Sequence, residues 1–210
     1  MRKILETRLI RERTVLTMNK KTVAVTPEEF REVIELVRDG FMLGECRIRP
    51  NERIATLLCI QGNLGLRLSD ILNLKMNSFI YDSGRYRLDI VEQKTKKVRE
   101  FTVNSELFNY IQAYAYRNDI NPEVKLFDIS ARQVEKVLAK AFERMGLPLD
   151  KYSTHSLRKY YACEIYKNSD YNIELVRILL QHSSVTTTQR YLTISPKEVE
   201  DAIARHLCLV

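Results

Sequence analysis

The sequence predicts an α+β domain, mostly helical, with a small three-stranded antiparallel sheet. Three observations carry this prediction. Apolar residues recur at helical spacing behind Thr26-Pro27-Glu28-Glu29 and again after Ser130. Between residues 79 and 103 that spacing gives way to partly alternating runs rich in β-formers. The 210 residues, 45% hydrophobic and 29% charged, suffice for one buried core with a short appendage.

The first clear helix starts at Thr26. The threonine can cap, Pro27 suits the first helical position and Glu29 closes a capping box. Phe30, Val33, Ile34 and Val37 then form one apolar stripe, and Asp39-Gly40 ends it. A second helix begins near Pro50, buries Ile54, Leu57 and Leu58, and stops around Gly62 and Gly65. Ser69 is expected to cap a short third helix carrying Ile71, Leu72 and Leu74. Three strands follow at Phe79–Asp82, Arg85–Val91 and Lys97–Val103, joined by turns at Ser83-Gly84 and Gln93–Lys96. Helical signals resume after Asn104, with Leu107, Phe108, Ile111 and Tyr114. After Ser130 they return with Val134, Val137, Leu138, Ala141 and Phe142, ended by Gly146. Further helices are expected from Thr154, Asn172, Ser184 and Ser195, the last a C-terminal helix over 196–207.

Charge is unevenly spread. Residues 1–24 hold seven basic and two acidic residues, so this arm carries five of the seven net positive charges. A basic arm on a nearly neutral domain over 25–210 is a plausible phosphate-binding device, although a solubilising tail has the same composition. Ile4, Leu5, Leu9 and Leu16 give the arm only a sparse stripe. No run approaches the roughly 18 apolar residues of a membrane span. Charges throughout the first sixteen residues do not suit a secretory signal. Cys46, Cys59, Cys163 and Cys208 are scattered without metal-ligand spacing, which points to thiols in a reducing, cytoplasmic compartment.

Three segments concentrate chemistry. In Thr154-His155-Ser156-Leu157-Arg158, His155 and Arg158 share one face at a helix start, where free N–H groups and positive charge favour phosphate. Alone, such a pair is usually a solvated face. In Leu179-Leu180-Gln181-His182-Ser183-Ser184, His182 precedes Tyr191 by nine residues. A single histidine or tyrosine is more often structural, and the chain has eleven tyrosines. In Gly65-Leu66-Arg67-Leu68-Ser69-Asp70, Arg67 stands on the turn entering a helix.

Taken together, these segments resemble the tyrosine recombinase family, which includes phage integrases and chromosome-dimer recombinases. GLRLSDILNL is similar to its first arginine motif, THSLR to its HxLR motif, and LLQHSSVTTTQRYL to its LGHxS…T…Y segment. The intervals fit as well: 88 residues from Arg67 to His155, 24 from Arg158 to His182, and 9 to Tyr191. The resemblance spans roughly residues 25–205 and includes a Tyr-bearing segment over 182–192. Gln181 departs from it, standing where the family usually has glycine, and should alter the turn before His182. The resemblance also places a catalytic lysine in Glu92-Gln93-Lys94-Thr95-Lys96-Lys97. Lys94 matches its Lys-Thr pattern best, and Lys96 is the competitor.

The resemblance implies that Tyr191 attacks a DNA phosphodiester, giving a 3′-phosphotyrosine and a free 5′-hydroxyl. Arg67 and Arg158 would clamp the phosphate, His182 would add a donor, His155 would take the tyrosine proton and Lys94 would protonate the leaving oxygen. Double-stranded DNA and a homotetramer on paired DNA sites are the implied partners, in a bacterial, phage or mobile-element context. No cofactor, metal ion, small molecule or membrane is implied, and the sequence has no P-loop or acidic metal cluster. Most such recombinases carry a further N-terminal clamp domain, whereas only 24 residues precede this domain here. DNA affinity should then be weak and salt-dependent. Two other classes share features: type IB topoisomerases use the same chemistry, and a non-catalytic DNA-binding relative would keep the fold.

Overall fold

The computed structural model describes residues 22–192 and Glu200. The sparse stripe of the arm and the helix expected from Ser195 lie outside the described residues. Helix α1 (Pro27–Asp39) opens with the expected box: Glu29 N–H donates to Thr26 Oγ1 at 3.1 Å and Thr26 N–H to Glu29 Oε2 at 2.8 Å. It buries Phe30, Val33, Ile34 and Val37. Gly40 turns the chain at φ 78, where a Cβ would lie 2.7 Å from the Ile48 carbonyl oxygen.

A two-stranded hairpin follows, β1 (Phe41–Leu43) and β2 (Cys46–Ile48), paired Phe41 to Ile48. It has no clear sequence signal, because three-residue strands with only Phe41 buried are too short to show alternation. Helix α2 (Glu52–Leu64), capped by Asn51, is buried on nearly every side. A helix apolar all round belongs in the middle of a domain. Helices α1, α4 and α6 pack around α2, and Gly62 lets the Phe30 ring of α1 approach.

The third helix corrects the sequence expectation. α3 covers only Leu68–Ile71, its N-cap is Arg67, and Ser69 lies inside it. The backbone carbonyl of Arg67 accepts the first helical bonds from Asp70 and Ile71. Strands β3 (Phe79–Asp82), β4 (Arg85–Val91) and β5 (Val98–Val103) form the expected antiparallel sheet in the order β3-β4-β5. Leu88 faces Phe79 on one side and Phe101 on the other. The inner face packs on α4 (Ser105–Arg117), where the rings of Tyr86 and Phe108 stack at 3.6 Å.

Helix α5 (Ala131–Arg144) carries a second capping box from Ser130 and Gln133. Helix α6 (Thr154–Asn168) is capped by Ser153, one residue before the expected start. The short α7 (Ile173–Leu180) and α8 (Val185–Gln189) are capped by Asn172 and Ser184 as expected. One large core joins α1 to α6 and the sheet. A smaller cluster of Tyr161, Ala162, Val176 and Leu180 binds α7 to α6. Among the described residues no helix is long and apolar enough to cross a membrane.

Candidate active site

The site lies where the two clusters meet. Helix α2 ends on Gly65 in the left-handed region (φ 60, ψ 23). A Cβ there would sit 2.2 Å from the Tyr161 ring, so only glycine allows this reversal. The reversal delivers Arg67, whose Nη1 lies 2.5 Å from Oε2 of Glu92. Glu92 is fully buried at the end of β4. It also accepts from Thr95 Oγ1 at 2.7 Å and from Arg99 Nη1 at 3.3 Å. Burial pushes its carboxyl up, but Thr95, Arg67 and Arg99 outweigh burial and hold it below the usual carboxylate range. Asp70 supports the same corner: its Oδ1 accepts the Gln93 N–H at 2.8 Å, and its Oδ2 is 4.0 Å from Arg67.

Arg158 is held differently. It lies on the second turn of α6 and is completely buried. Its Nη1 donates to the Gly65 carbonyl at 2.5 Å and its Nη2 to the Leu180 carbonyl at 3.0 Å. One guanidinium thus ties the end of α2 to the end of α7, while its Nε–H has no acceptor among the described residues. Burial, with Arg99 and Arg67 nearby, lowers it to about 10, still cationic at neutral pH. His155, one turn earlier on α6, is exposed. Partial desolvation of its ring and the charges of Arg158, Arg67, Lys94 and Lys159 lower it. Lys94 is exposed in the turn between β4 and β5, and its charge reaches His155. Lys96 adopts φ 57 and its N–H closes that turn on the Glu92 carbonyl at 2.9 Å.

His182 and Tyr191 come from the other side. Helix α7 ends on Gln181 in the left-handed region (φ 53, ψ 37), the backbone that glycine adopts most easily. Its Nε2 donates to the Val98 carbonyl at 2.6 Å and fastens the turn to β5. His182 follows, 6% exposed, with Nδ1 3.0 Å from Thr188 Oγ1. Burial and the charges of Arg158 and Arg67 push it down to about 4, so it is neutral near pH 7. Its ring lies 4.6 Å from the half-buried ring of Tyr191. Tyr191 N–H donates to the Thr188 carbonyl at 2.8 Å. The same ring lies 6.0 Å from the Arg158 guanidinium and 5.7 Å from Lys159 Nζ.

The structure therefore gathers Arg67, Arg158, His182 and Tyr191, with His155 and Lys94 at the exposed rim. Sequence reasoning missed Glu92, Asp70, Arg99 and Thr188. A signal for two of them was present. Glu92 continues the inward alternation of Leu88 and Ile90, and Arg99 that of Phe101 and Val103. Opposite charges at inward positions of paired strands mark a buried ion pair.

Residues 42–198 match the phage integrase family. The chain is 26% identical to a tyrosine recombinase XerC of Caldanaerobacter subterraneus over 193 residues, covering 88% of this chain and 51% of that protein. It is 26% identical to a tyrosine recombinase XerA of Pyrococcus furiosus, covering 87% of this chain and 61% of that protein. It thus spans about half to three fifths of the length of these relatives. The fold is similar to the catalytic domain of bacteriophage HP1 integrase (TM-score 0.60, 20% identity), covering 88% of this chain and 95% of that one. It is also similar to XerH recombinase bound to a difH substrate (TM-score 0.69, 21% identity), covering 87% of this chain and 52% of that one. With a match over most of its length and the fold of such catalytic domains, the chain belongs to the phage integrase family.

Proposed function

We propose that this chain is the catalytic unit of a site-specific DNA recombinase that works through a phosphotyrosine at Tyr191. The observation that carries the proposal is the convergence on the Tyr191 ring of His182 at 4.6 Å and the Arg158 guanidinium at 6.0 Å. Arg158 is bonded to neutral carbonyls, so a phosphate oxygen would supply the anion that its buried charge favours. Arg67 remains partly exposed beside it and completes the clamp.

In the forward step the Tyr191 oxygen bonds to phosphorus and its proton passes to His155. The bond to the 5′ oxygen breaks, and Lys94 protonates that oxygen. His155 is suited to this because partial desolvation and then the neighbouring cations lower its pKa, which favours the unprotonated ring that accepts a proton. His182, fixed by Thr188 at one nitrogen, turns its other nitrogen to the phosphate as a donor. Reversal by another strand's 5′-hydroxyl rejoins DNA with no energy source, because the ester retains the bond energy. Double-stranded DNA is the substrate, and strand exchange calls for four copies on paired sites. A lambda integrase tetramer bound to a Holliday junction has a related fold (TM-score 0.62) and supports that assembly. A reducing cytoplasm suits the thiols of Cys46, Cys59 and Cys163, which form no disulfide among the described residues.

A nicked suicide duplex tests the proposal. The parent chain should become covalently linked to DNA, and Tyr191→Phe should bind the duplex with no adduct on a denaturing gel. Undiminished adduct from the variant would remove Tyr191 from the mechanism.

A further inference from the structure

Lysine normally keeps its ammonium in water, and burying one is costly unless bonds replace the lost hydration. Lys159, next to Arg158 on α6, is only 7% exposed. Its Nζ donates to the Thr22 carbonyl and stands 5.7 Å from the centroid of the Tyr191 ring, within cation–π range. Thr22 is itself fixed, because the next residue, Val23, bonds through its N–H to the Lys151 carbonyl at 2.8 Å. The other groups near Tyr191 act on its ring differently, the His182 ring by direct contact at 4.6 Å. The cluster beneath it, Tyr161, Ala162, Val176 and Leu180, is largely apolar and non-directional. Cys163 Sγ meets Tyr191 at its backbone carbonyl, at 3.6 Å. Arg158 is committed to Gly65 and Leu180.

We propose that Lys159 is a positioning residue for Tyr191, its Thr22-anchored ammonium holding the ring beside His182 and Arg158. Lys159 differs in this from Lys94, which is exposed and free to meet DNA. It also makes the backbone at Thr22 part of the support of the tyrosine, so the segment leading into α1 and the segment ending at Tyr191 are mechanically linked. The contact is a property of the free protein. Only its consequence for cleavage rests on the reading of Tyr191 as nucleophile.

The test separates these two. With 3-fluorotyrosine at position 191, the fluorine resonance of the DNA-free protein reports how the ring is held. Lys159→Met keeps length and removes charge, and should shift or broaden that line. On the suicide duplex it should slow adduct formation about tenfold, the scale of one desolvated cation–π contact, with DNA affinity unchanged. Lys159→Arg keeps the cation and should hold the line near its parental position, which also serves if the methionine variant fails to fold. An unchanged fluorine line in Lys159→Met, or a displaced one in a folded Lys159→Arg, overturns the inference. A fall in DNA affinity that accounts for the slower cleavage overturns it as well, since Lys159 would then be a phosphate contact. If the parent chain forms no adduct while the line still responds to Lys159→Met, the nucleophile reading fails and the positioning contact stands.

Discussion

Arg67 and Arg158 hold the same guanidinium in the same site by opposite means. Arg67 leans on a buried carboxylate, Glu92, through one Nη at the N-cap of a four-residue helix. Arg158 stands on a fifteen-residue helix and reaches two carbonyls that belong to different elements. The first arrangement neutralises charge and asks little of shape. The second leaves the charge available and depends on the planar fork. An ammonium can replace a single ion-pair contact, but it cannot span the Gly65 and Leu180 carbonyls as a fork does. Arg158→Lys is therefore expected to lose about 10²–10³-fold in adduct formation on the suicide duplex, and Arg67→Lys distinctly less. Equal losses would show that the two anchors do not matter to function.

The carboxylate side of the comparison has its own large effect, on stability. Glu92 is shared by Arg67, Arg99 and Thr95, and Arg99 is 1% exposed with its Nη2 on the Leu64 carbonyl at 3.0 Å. Removing one member of a buried charge set leaves the others uncompensated, at a cost of roughly 3–5 kcal/mol. Glu92→Gln should lower the melting temperature by about 10 °C or more, measured by calorimetry. A drop of only a degree or two would mean that water, rather than Glu92, satisfies the two arginines.

The sequence motifs that carry chemistry were legible because their residues are close together along the chain. His155 and Arg158 share a helix face, and the interval from His182 to Tyr191 spans one turn and one short helix. The long α1 and α5 were legible from capping boxes and full stripes such as Val134, Leu138, Ala141 and Phe142. What escaped is long-range. Arg99 and Leu64 are 35 residues apart, and Arg67 and Glu92 are 25 apart, so nothing local shows that they touch. Ser69 reads as a cap because serine caps well in general. Here the Gly65 reversal starts the helix earlier, and the Arg67 backbone takes that place without any side-chain bond. The identity of Gln181 announced a changed turn. The structure instead keeps a left-handed residue there and uses the side chain as a tie to β5.

The two histidines extend the comparison to protons. His182 is pushed down to about 4 in the fold, chiefly by burial, whereas an unfolded histidine titrates near 6.5. The unfolded chain therefore binds its proton first. Stability from this residue is complete above about pH 6.5 and falls as pH drops toward 4, by about 1.4 kcal/mol per pH unit. Urea unfolding at pH 7 and pH 5 should show this loss in the parent chain. His182→Gln should show a smaller one, because its amide does not titrate. His155 is exposed, so His155→Gln should leave most of the loss in place. If His155→Gln removes as much of the pH dependence as His182→Gln, the ring at 182 is more hydrated than its 6% exposure suggests.

The smallest effect is expected at Gln181, and it tests whether an anchor is needed beside His182 at all. Four terms oppose one another in Gln181→Gly. Glycine relieves the left-handed backbone at φ 53, a gain of about 1 kcal/mol. It also removes a buried Oε1 that has no partner among the described residues. Against this, the 2.6 Å bond from Nε2 to the Val98 carbonyl is lost, about 0.5–1.5 kcal/mol, and the turn gains freedom in the unfolded chain. The sum should stay within about 1 kcal/mol of the parent in urea unfolding. His182 keeps its own supports, since its N–H still reaches the Arg177 carbonyl at 3.0 Å and its ring still meets Thr188. Adduct formation should therefore change by no more than a few fold, about 1 kcal/mol or less in the barrier. A larger loss of cleavage with stability intact would place the Gln181 tie alongside Glu92 and the Gly65 and Leu180 carbonyls. The sheet would then be helping to aim His182, and the contrast between a carboxylate anchor and carbonyl anchors would extend to the histidine.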